Sequence, residues 1–422
     1  MQDPETFPYA VMPPESVGLC SKRLGRVTRL LEGYVERGQV AGFLAAVARK
    51  GYIVYSECIG WADREAGLPI RPDTIFRIYS MSKPITAVAL MMLYEEGCFR
   101  LDDPVSTYIP AFKEMPVYAG GAGSNMVTVP PERPMTIRHL FTHTSGLVYP
   151  AGILDSEQVH PVERLFAERL REHHGGDSDW LFDGDLAAFV EFLPGIPLAH
   201  HPGTEWHYSV SIDVLGRLVE IFSGKRFGAF LQERLFEPLG MRDTAFFVPP
   251  EKLGRFSAVY GPDEAGCLVP IDRREGGFSR PRAFEMPGGG LVATAGDYLR
   301  FAQMMLNGGV LGDFRALGRK TVEFMCADHM PPTAKPFSMD GNGMWHGYGH
   351  ALGFAMVKEP ALTGLPHSKG TFHWAGAAAT YFWVDPQEEL IGLLMPQFMG
   401  MGRAFYPFQE QFRTLVYQAL VD

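Results

Sequence analysis

The chain has 422 residues, of which 46% are hydrophobic and 20% charged, more than one compact core usually takes, so one large two-part domain or two domains are expected. Its 38 basic residues are outnumbered by 48 acidic ones, for a formal charge of -10. No Lys/Arg cluster forms a stripe, which argues against a nucleic-acid partner, and no run of about 18 apolar residues proposes a membrane span.

The opening MQDPETFPYAVMPP has no basic segment leading into an apolar one. The cytoplasm is therefore the expected compartment, with a periplasmic or secreted location following only if a signal peptide has been removed. From Ser21 to Arg37, Leu24, Val27, Leu30, Leu31, Tyr34 and Val35 recur at helical spacing, with Ser21 placed to cap the start and Gly38 after the end. GFLAAVAR and YIVYSECIGW follow as β-rich runs divided by Lys50 and Gly51, which predicts an antiparallel hairpin. Next comes the strand-like TIFRIY. In SMSKPITAVALMMLYEEG, Ile85, Val88, Ala89, Met92 and Leu93 share a face and Gly97 stands at the end, so a largely buried helix begins near Ser80.

MVTVPPERPMT reads as an extended connection, because its prolines remove backbone donors. LAAFVEFL and SIDVLGRLVEIFSG are helical. Near the other end, TYFWVD and LIGLLMP flank the turn-like PQEE, and Phe408, Phe412, Leu415, Val416 and Leu420 trace a final helix. The two ends mirror each other. They predict an α+β architecture in which one antiparallel sheet is assembled from both termini and covered by their helices, over residues 1–79 and 285–422. A mainly helical domain, residues 80–284, is inserted between them.

Ser80 and Lys83 lie three apart at the start of the buried helix, where they share a face. Pro84 fits a first turn. The helix start supplies backbone donors and a positive dipole end, and lysine supplies an amine beside the hydroxyl. Those are the needs of a serine nucleophile. Ser80 or Ser82 as a plain N-cap is the rival reading of these three letters alone. Five cysteines, Cys20, Cys58, Cys98, Cys267 and Cys326, show no CxxC spacing; reduced thiols packed as small core residues are expected, with no metal and no organic cofactor.

Two further motifs change the weight of the SxxK: PGTEWHYSVSIDVLG at 202–216 and TFHWAG at 371–376, just before the strand TYFWVD. In this order the three resemble the serine β-lactamase and penicillin-binding-protein-like superfamily, most closely its carboxylesterases of the family VIII type and related acyltransferases. LFTHTSGL and PGGGLVATAGDYLRFAQMMLNGG are similar to stretches of the same family. The resemblance runs over nearly the whole chain and implies a β-lactamase-like fold with the active site in the cleft between its two parts. It makes Ser80 the nucleophile, Lys83 the partner that lowers its proton affinity, and Tyr208 the general base. A tyrosine, ordinarily titrating near 10, works as a base only where a cation stabilises its phenolate, and Lys83 is the candidate. The strand motif places Trp374 and Gly376 on an edge strand lining the cleft, with the amides of Ser80 and Ala377 as oxyanion hole.

Two positions depart from the β-lactamase pattern: Val210 stands where an asparagine amide is usual, and Trp374 where a cation is usual. Both favour a neutral acyl ester over a lactam. The expected activity is that of a carboxylesterase on small to medium acyl esters, acting through an acyl-enzyme. An acyltransferase, or a β-lactamase or D-alanyl carboxypeptidase of the same fold, is the alternative, and a catalytically silent ligand-binding or assembly protein the rival of another class. The expected partner is a small-molecule ester; the oligomeric state is not legible. His143 and Ser145 in HTSGL read as a structural turn, since no GxSxG is present. His200 with His201, and His346 with His350, lack completing metal ligands. The GGG at 288–290 reads as a close-packing turn beside the cleft, and Lys369 in KGT is out of register for a KTG motif.

Overall fold

The computed structural model describes residues 9–153, 159–175, 182–332, 334, 346–400 and 406–422. Helix α1 spans Ser21–Glu36. Its N-cap is Cys20, and Ser21 is its first helical residue, whose amide donates to Glu15 Oε1 at 2.8 Å. A carboxylate from the preceding turn thus does the capping expected of the serine hydroxyl. Strands β1 (Gly42–Arg49) and β2 (Tyr52–Asp63) form the expected hairpin. Lys50 and Gly51 turn it at φ 53° and 79°, the pair of positive values that a two-residue turn between right-twisted strands requires.

Among the described residues the main sheet has eight strands, all antiparallel to their neighbours. Its order is Tyr348–His350, Ala355–Val357, Phe372–Ala375, Tyr381–Asp385, Leu390–Met395, β1, β2 and β3 (Leu68–Pro69). The chain ends meet where Leu44 lies opposite Met395 and Arg49 opposite Leu390. Phe43, Ala45 and Val47 face a cluster with Leu24, Val27 and Leu31 of α1 and with Phe408, Phe412 and Val416 of the last helix, Phe408–Tyr417. Leu44, Ala46 and Ala48 face the larger cluster on the other side. Covered on both faces, β1 is buried along its whole length and apolar up to Arg49 instead of alternating.

That second face is covered in part by the helix Ala295–Leu306. β4 (Ile75–Arg77) pairs with Val292–Thr294 and leads through a 3-10 turn, Tyr79–Met81, into α2 (Ser82–Glu95). Every residue from Ser82 to Leu93 is buried. Where one inward face was expected, AVALMML is apolar all round, as suits a helix running through the interior. It packs on α6 (Ser211–Ser223); between them in the chain come α3 (Ile137–Phe141), α4 (Pro161–His173) and α5 (Leu186–Phe192).

Three expectations are corrected. Val127–Val129, inside the supposed extended connection, pairs with Val117–Gly120, because the two valines precede the first proline and keep their donors. The strand Phe372–Ala375 is interior, not an edge: the Gly-rich hairpin of Tyr348–His350 and Ala355–Val357 adds outside it, pairing at Phe372 and His373 and stopping short of Trp374. Cys267 is exposed and the other four cysteines are half-buried, all with free thiols.

Candidate active site

Ser80 sits in the 3-10 turn ahead of α2, one residue after Tyr79, whose φ of 42° is rare for an aromatic side chain. Such strain persists only where surroundings impose it. Tyr79 is buried edge-on against Phe278, and neighbouring Arg77 is buried in an ion pair with Asp272 at 2.9 Å. Lys83, one turn on and fully buried, donates to Ser80 Oγ at 3.0 Å, Tyr149 Oη at 3.1 Å and Gly288 O at 2.6 Å. An ammonium has three donors, and each finds an acceptor here. The amine is thereby fixed against the Ser80 hydroxyl.

Tyr208 lies in the loop before α6. Lys83 Nζ stands 4.6 Å from the centroid of its ring, so the cation meets the π face. The hydroxyl that bonds Lys83 is that of Tyr149. The Tyr208 hydroxyl meets no protein partner among the described residues. Its ring is held by His143 at 4.8 Å, Tyr149 at 5.4 Å, Trp374 at 5.8 Å and a stacked Trp206 at 6.0 Å. Trp374 is buried, packed against Tyr208 and, at 5.6 Å, against His350.

Gly376 and Ala377 follow the strand end. A Cβ on Gly376 would stand 2.4 Å from Ile78 O and 2.3 Å from Thr380 Oγ1, so only glycine lets this turn approach the backbone two residues before Ser80. Ala377 is exposed beside it. The turn is closed by Gly376 N–H donating to Thr380 O at 2.8 Å and Ala379 N–H to Gly376 O at 2.9 Å.

Three residues of this network were missed in the sequence. Tyr149 stands two positions beyond the LFTHTSGL stretch. Gly288 belongs to the GGG that was read as a packing turn, and its carbonyl anchors Lys83. Asp213, in the first turn of α6, accepts from Gly288 N–H at 2.8 Å, while its other oxygen is buried without a hydrogen-bond partner among the described residues. Burial pushes the Asp213 carboxyl up to about 6, against the pull of the Lys83 charge. Burial likewise holds Tyr149 well above its ordinary range, so it keeps its proton.

His143 and Ser145 support the site from behind. His143 Nδ1 is 3.0 Å from Ser209 Oγ, and Ser145 Oγ and Ser209 Oγ each lie 2.8 Å from Ser211 Oγ. Burial lowers His143 well below the usual histidine value, which leaves it neutral. His200 bonds the His201 carbonyl and His350 the Ala351 carbonyl. Among the described residues no group of three or more His, Cys, Asp or Glu is placed to hold a metal ion, and no helix is long and apolar enough to cross a membrane.

A serine at a helix start, bonded to a buried lysine and faced by tyrosines in a helix-covered antiparallel sheet, defines a serine hydrolase of the β-lactamase-like fold. The chain belongs to the β-lactamase family, whose model matches residues 27–407. Protein Rv1367c of Mycobacterium tuberculosis is 35% identical to it over 366 residues, 86% of this chain and 87% of that protein. Esterase EstB of Burkholderia gladioli is 32% identical over 388 residues, 88% of this chain and 89% of that protein. The solved structure of EstCE1, described as a hydrolase with promiscuous acyltransferase activity, superposes with a TM-score of 0.73 at 25% identity, covering 94% of this chain and 99% of that one.

Proposed function

We propose that the protein is a carboxylesterase that forms an acyl-enzyme on Ser80 from small to medium acyl esters. The observation that carries this is the Lys83 amine, buried and held by three acceptors of which the Ser80 hydroxyl is one. Ser80 Oγ attacks the ester carbonyl and its proton passes to the Lys83 and Tyr208 pair. The amides of Ser80 and Ala377 receive the oxyanion. Collapse of the tetrahedral intermediate breaks the ester C–O bond, and the departing alkoxide takes the proton back from Tyr208, whose hydroxyl has no hydrogen-bond partner among the described residues. Water then repeats the sequence on the acyl-enzyme and releases the acid. Trp374 acts by packing Tyr208 in place, and Gly376 by admitting the Ala377 amide.

The test is turnover of p-nitrophenyl butyrate together with labelling by an organophosphonate ester. The expected adduct is on Ser80; an adduct on Ser82 or Ser145, or none where a control esterase is labelled, overturns the assignment. Transfer of the acyl group to an alcohol is a second reading, supported by the likeness to EstCE1. It is read from the same assay by adding a small alcohol and measuring the transesterified product.

A further inference from the structure

The three acceptors around the buried Lys83 amine, two hydroxyls and a carbonyl, are all neutral. Among the described residues no carboxylate forms an ion pair with it. An ammonium taken out of water keeps its charge only where an opposite charge stands close by. Asp213, also fully buried, is the carboxylate that Gly288 joins to the amine: Gly288 N–H donates to Asp213 Oδ1 at 2.8 Å, and the Gly288 carbonyl accepts from Lys83 at 2.6 Å. A Cβ on Gly288 would stand 2.8 Å from Asp213 Oδ2 and 3.2 Å from Tyr149 Oη. The carboxylate and a hydroxyl that anchors the amine therefore flank one point, and only glycine admits both. The segment carrying Gly288 is fixed from two helices. Thr86 Oγ1 of α2 donates to Pro287 O at 2.8 Å, and Leu291 N–H donates to Ser82 Oγ at 3.2 Å. On the other side a Cβ on Gly216, one turn beyond Asp213 in α6, would stand 2.1 Å from Pro287 Cγ. Asp213 Oδ2 is left without a hydrogen-bond partner among the described residues, which an uncharged helix residue in its place would avoid.

We propose that Asp213 is the positioning residue of Lys83, holding the Gly288 carbonyl against the amine and supplying the counter-charge that keeps it an ammonium beside Ser80 and Tyr208. The proposal rests on the esterase reading and adds a residue to the machinery of the same site. Of the other groups that face the pair, Tyr149 keeps its proton, His143 is neutral, and Tyr208 presents its ring; the counter-charge falls to Asp213. With its carboxyl at about 6, Asp213 is ionised at neutral pH. Activity is thus expected to fall as pH drops through about 6 and the carboxylate takes up a proton. That sign is opposite to the effect of the same ionisation on stability.

The experiment measures kcat and KM for p-nitrophenyl butyrate from about pH 5 to about 9 in the wild type, Asp213→Asn, Asp213→Ala, Gly288→Ala and the Asp213→Ala, Gly288→Ala double variant. Each is normalised to the fraction of Ser80 labelled by organophosphonate after prolonged exposure. Asp213→Asn still accepts from the Gly288 amide but carries no charge. Its kcat above neutral pH is expected to be about tenfold to a hundredfold below wild type, with KM within about twofold, and the inflection near 6 is expected to vanish. Asp213→Ala loses the acceptor as well and should be about tenfold lower again. Gly288→Ala drives a methyl group onto Asp213 Oδ2 and displaces the carbonyl; with Asp213→Ala that methyl has room, so the double variant should be no worse than the worse single variant, where independent losses would multiply. Damage to packing alone would lower the melting temperature and the labelled fraction without removing the inflection. If circular dichroism shows Asp213→Ala unfolded, the pH profile of Asp213→Asn decides. A folded Asp213→Asn that keeps the wild-type kcat or the acid inflection, or a folded double variant whose losses multiply, overturns the positioning role while leaving the esterase intact. No turnover of any ester by the wild type and no label on Ser80 overturns the esterase reading and the positioning role with it.

Discussion

Two tyrosines compete for the role of partner to Lys83, and they are distinguishable by what their hydroxyls face. Tyr149 spends its hydroxyl on the amine and, held above its ordinary range by burial, keeps its proton; Tyr208 offers the amine its ring, and its hydroxyl has no hydrogen-bond partner among the described residues. Tyr208→Phe is therefore expected to lower kcat by at least about a thousandfold, the scale of a lost proton relay combined with its supporting network. Tyr149→Phe removes one of three anchors of Lys83 and should cost about ten- to a hundredfold, the scale of one buried hydrogen bond to a charged group. Residues acting as a unit are non-additive, so Lys83→Ala with Tyr208→Phe should be little worse than the worse single variant. Steady-state kinetics on folded protein check all three; a Tyr149→Phe loss exceeding that of Tyr208→Phe would exchange their roles.

Asp213 adds a pH signature at the same scale. Its carboxyl is raised from an ordinary 3.8 to about 6, so between those values an unfolded chain releases the proton while the folded one keeps it. Stability contributed by the protonated form is complete only below the ordinary value of 3.8, falls as pH rises toward 6, and the deficit of about 2–3 kcal/mol persists above that. Asp213→Asn can still accept from the Gly288 amide and has no charge to bury. The melting temperature of the variant relative to the wild type should thus rise from pH 4 to about 6 and then level off; a difference flat across that window would remove the buried carboxyl from the account.

At the scale of elements, the strand end that carries Gly376 and the turn that carries Ser80 are pressed together at a distance no side chain fits. Gly376→Ala would have to separate Ile78 O and Thr380 Oγ1, now 2.4 and 2.3 Å from the new Cβ position, and the Ala377 amide would move with them. A displaced oxyanion donor costs about a hundred- to a thousandfold in kcat, with the melting temperature falling far less; unaltered kcat would take Ala377 out of the oxyanion hole. The sequence made this pairing legible because both elements carry motifs whose spacing has chemical meaning. It also disclosed both terminal hairpins, since Lys50 with Gly51 and PQEE are turn chemistry between apolar runs. The hairpin Tyr348–His350 and Ala355–Val357 stayed hidden because HGYGHALGFAMV is rich in glycine, which weakens any strand period. Tyr149, Asp213 and Gly288 stayed hidden for another reason: each is an ordinary residue of its local segment, and only long-range packing brings them to Lys83.

At the scale of the whole molecule, the expected division into a sheet part and an inserted helical part meets a continuous core. One apolar cluster takes in Leu44, Ala46, Phe382 and Leu393 of the sheet, the whole apolar length of α2, and Phe166, Phe189, Leu215 and Phe230 of the helical region. The site lies within that continuity, drawing Ser80 and Lys83, Tyr149, Tyr208, Gly288 and Gly376 from separate stretches of chain. A shared core gives neither part a surface on which it could remain folded alone, since opening one exposes the apolar face of the other. We expect urea to unfold the protein in a single transition, with far-UV ellipticity and tryptophan fluorescence falling at the same midpoint. Trp206 reports on the helical region and Trp383 on the sheet, so Trp206→Phe and Trp383→Phe leave different reporters in place and should give coincident curves. Two midpoints separated by a plateau, with the fluorescence of Trp383 still that of a buried indole after the Trp206 signal has gone, would show the helical part unfolding first and the sheet standing without it.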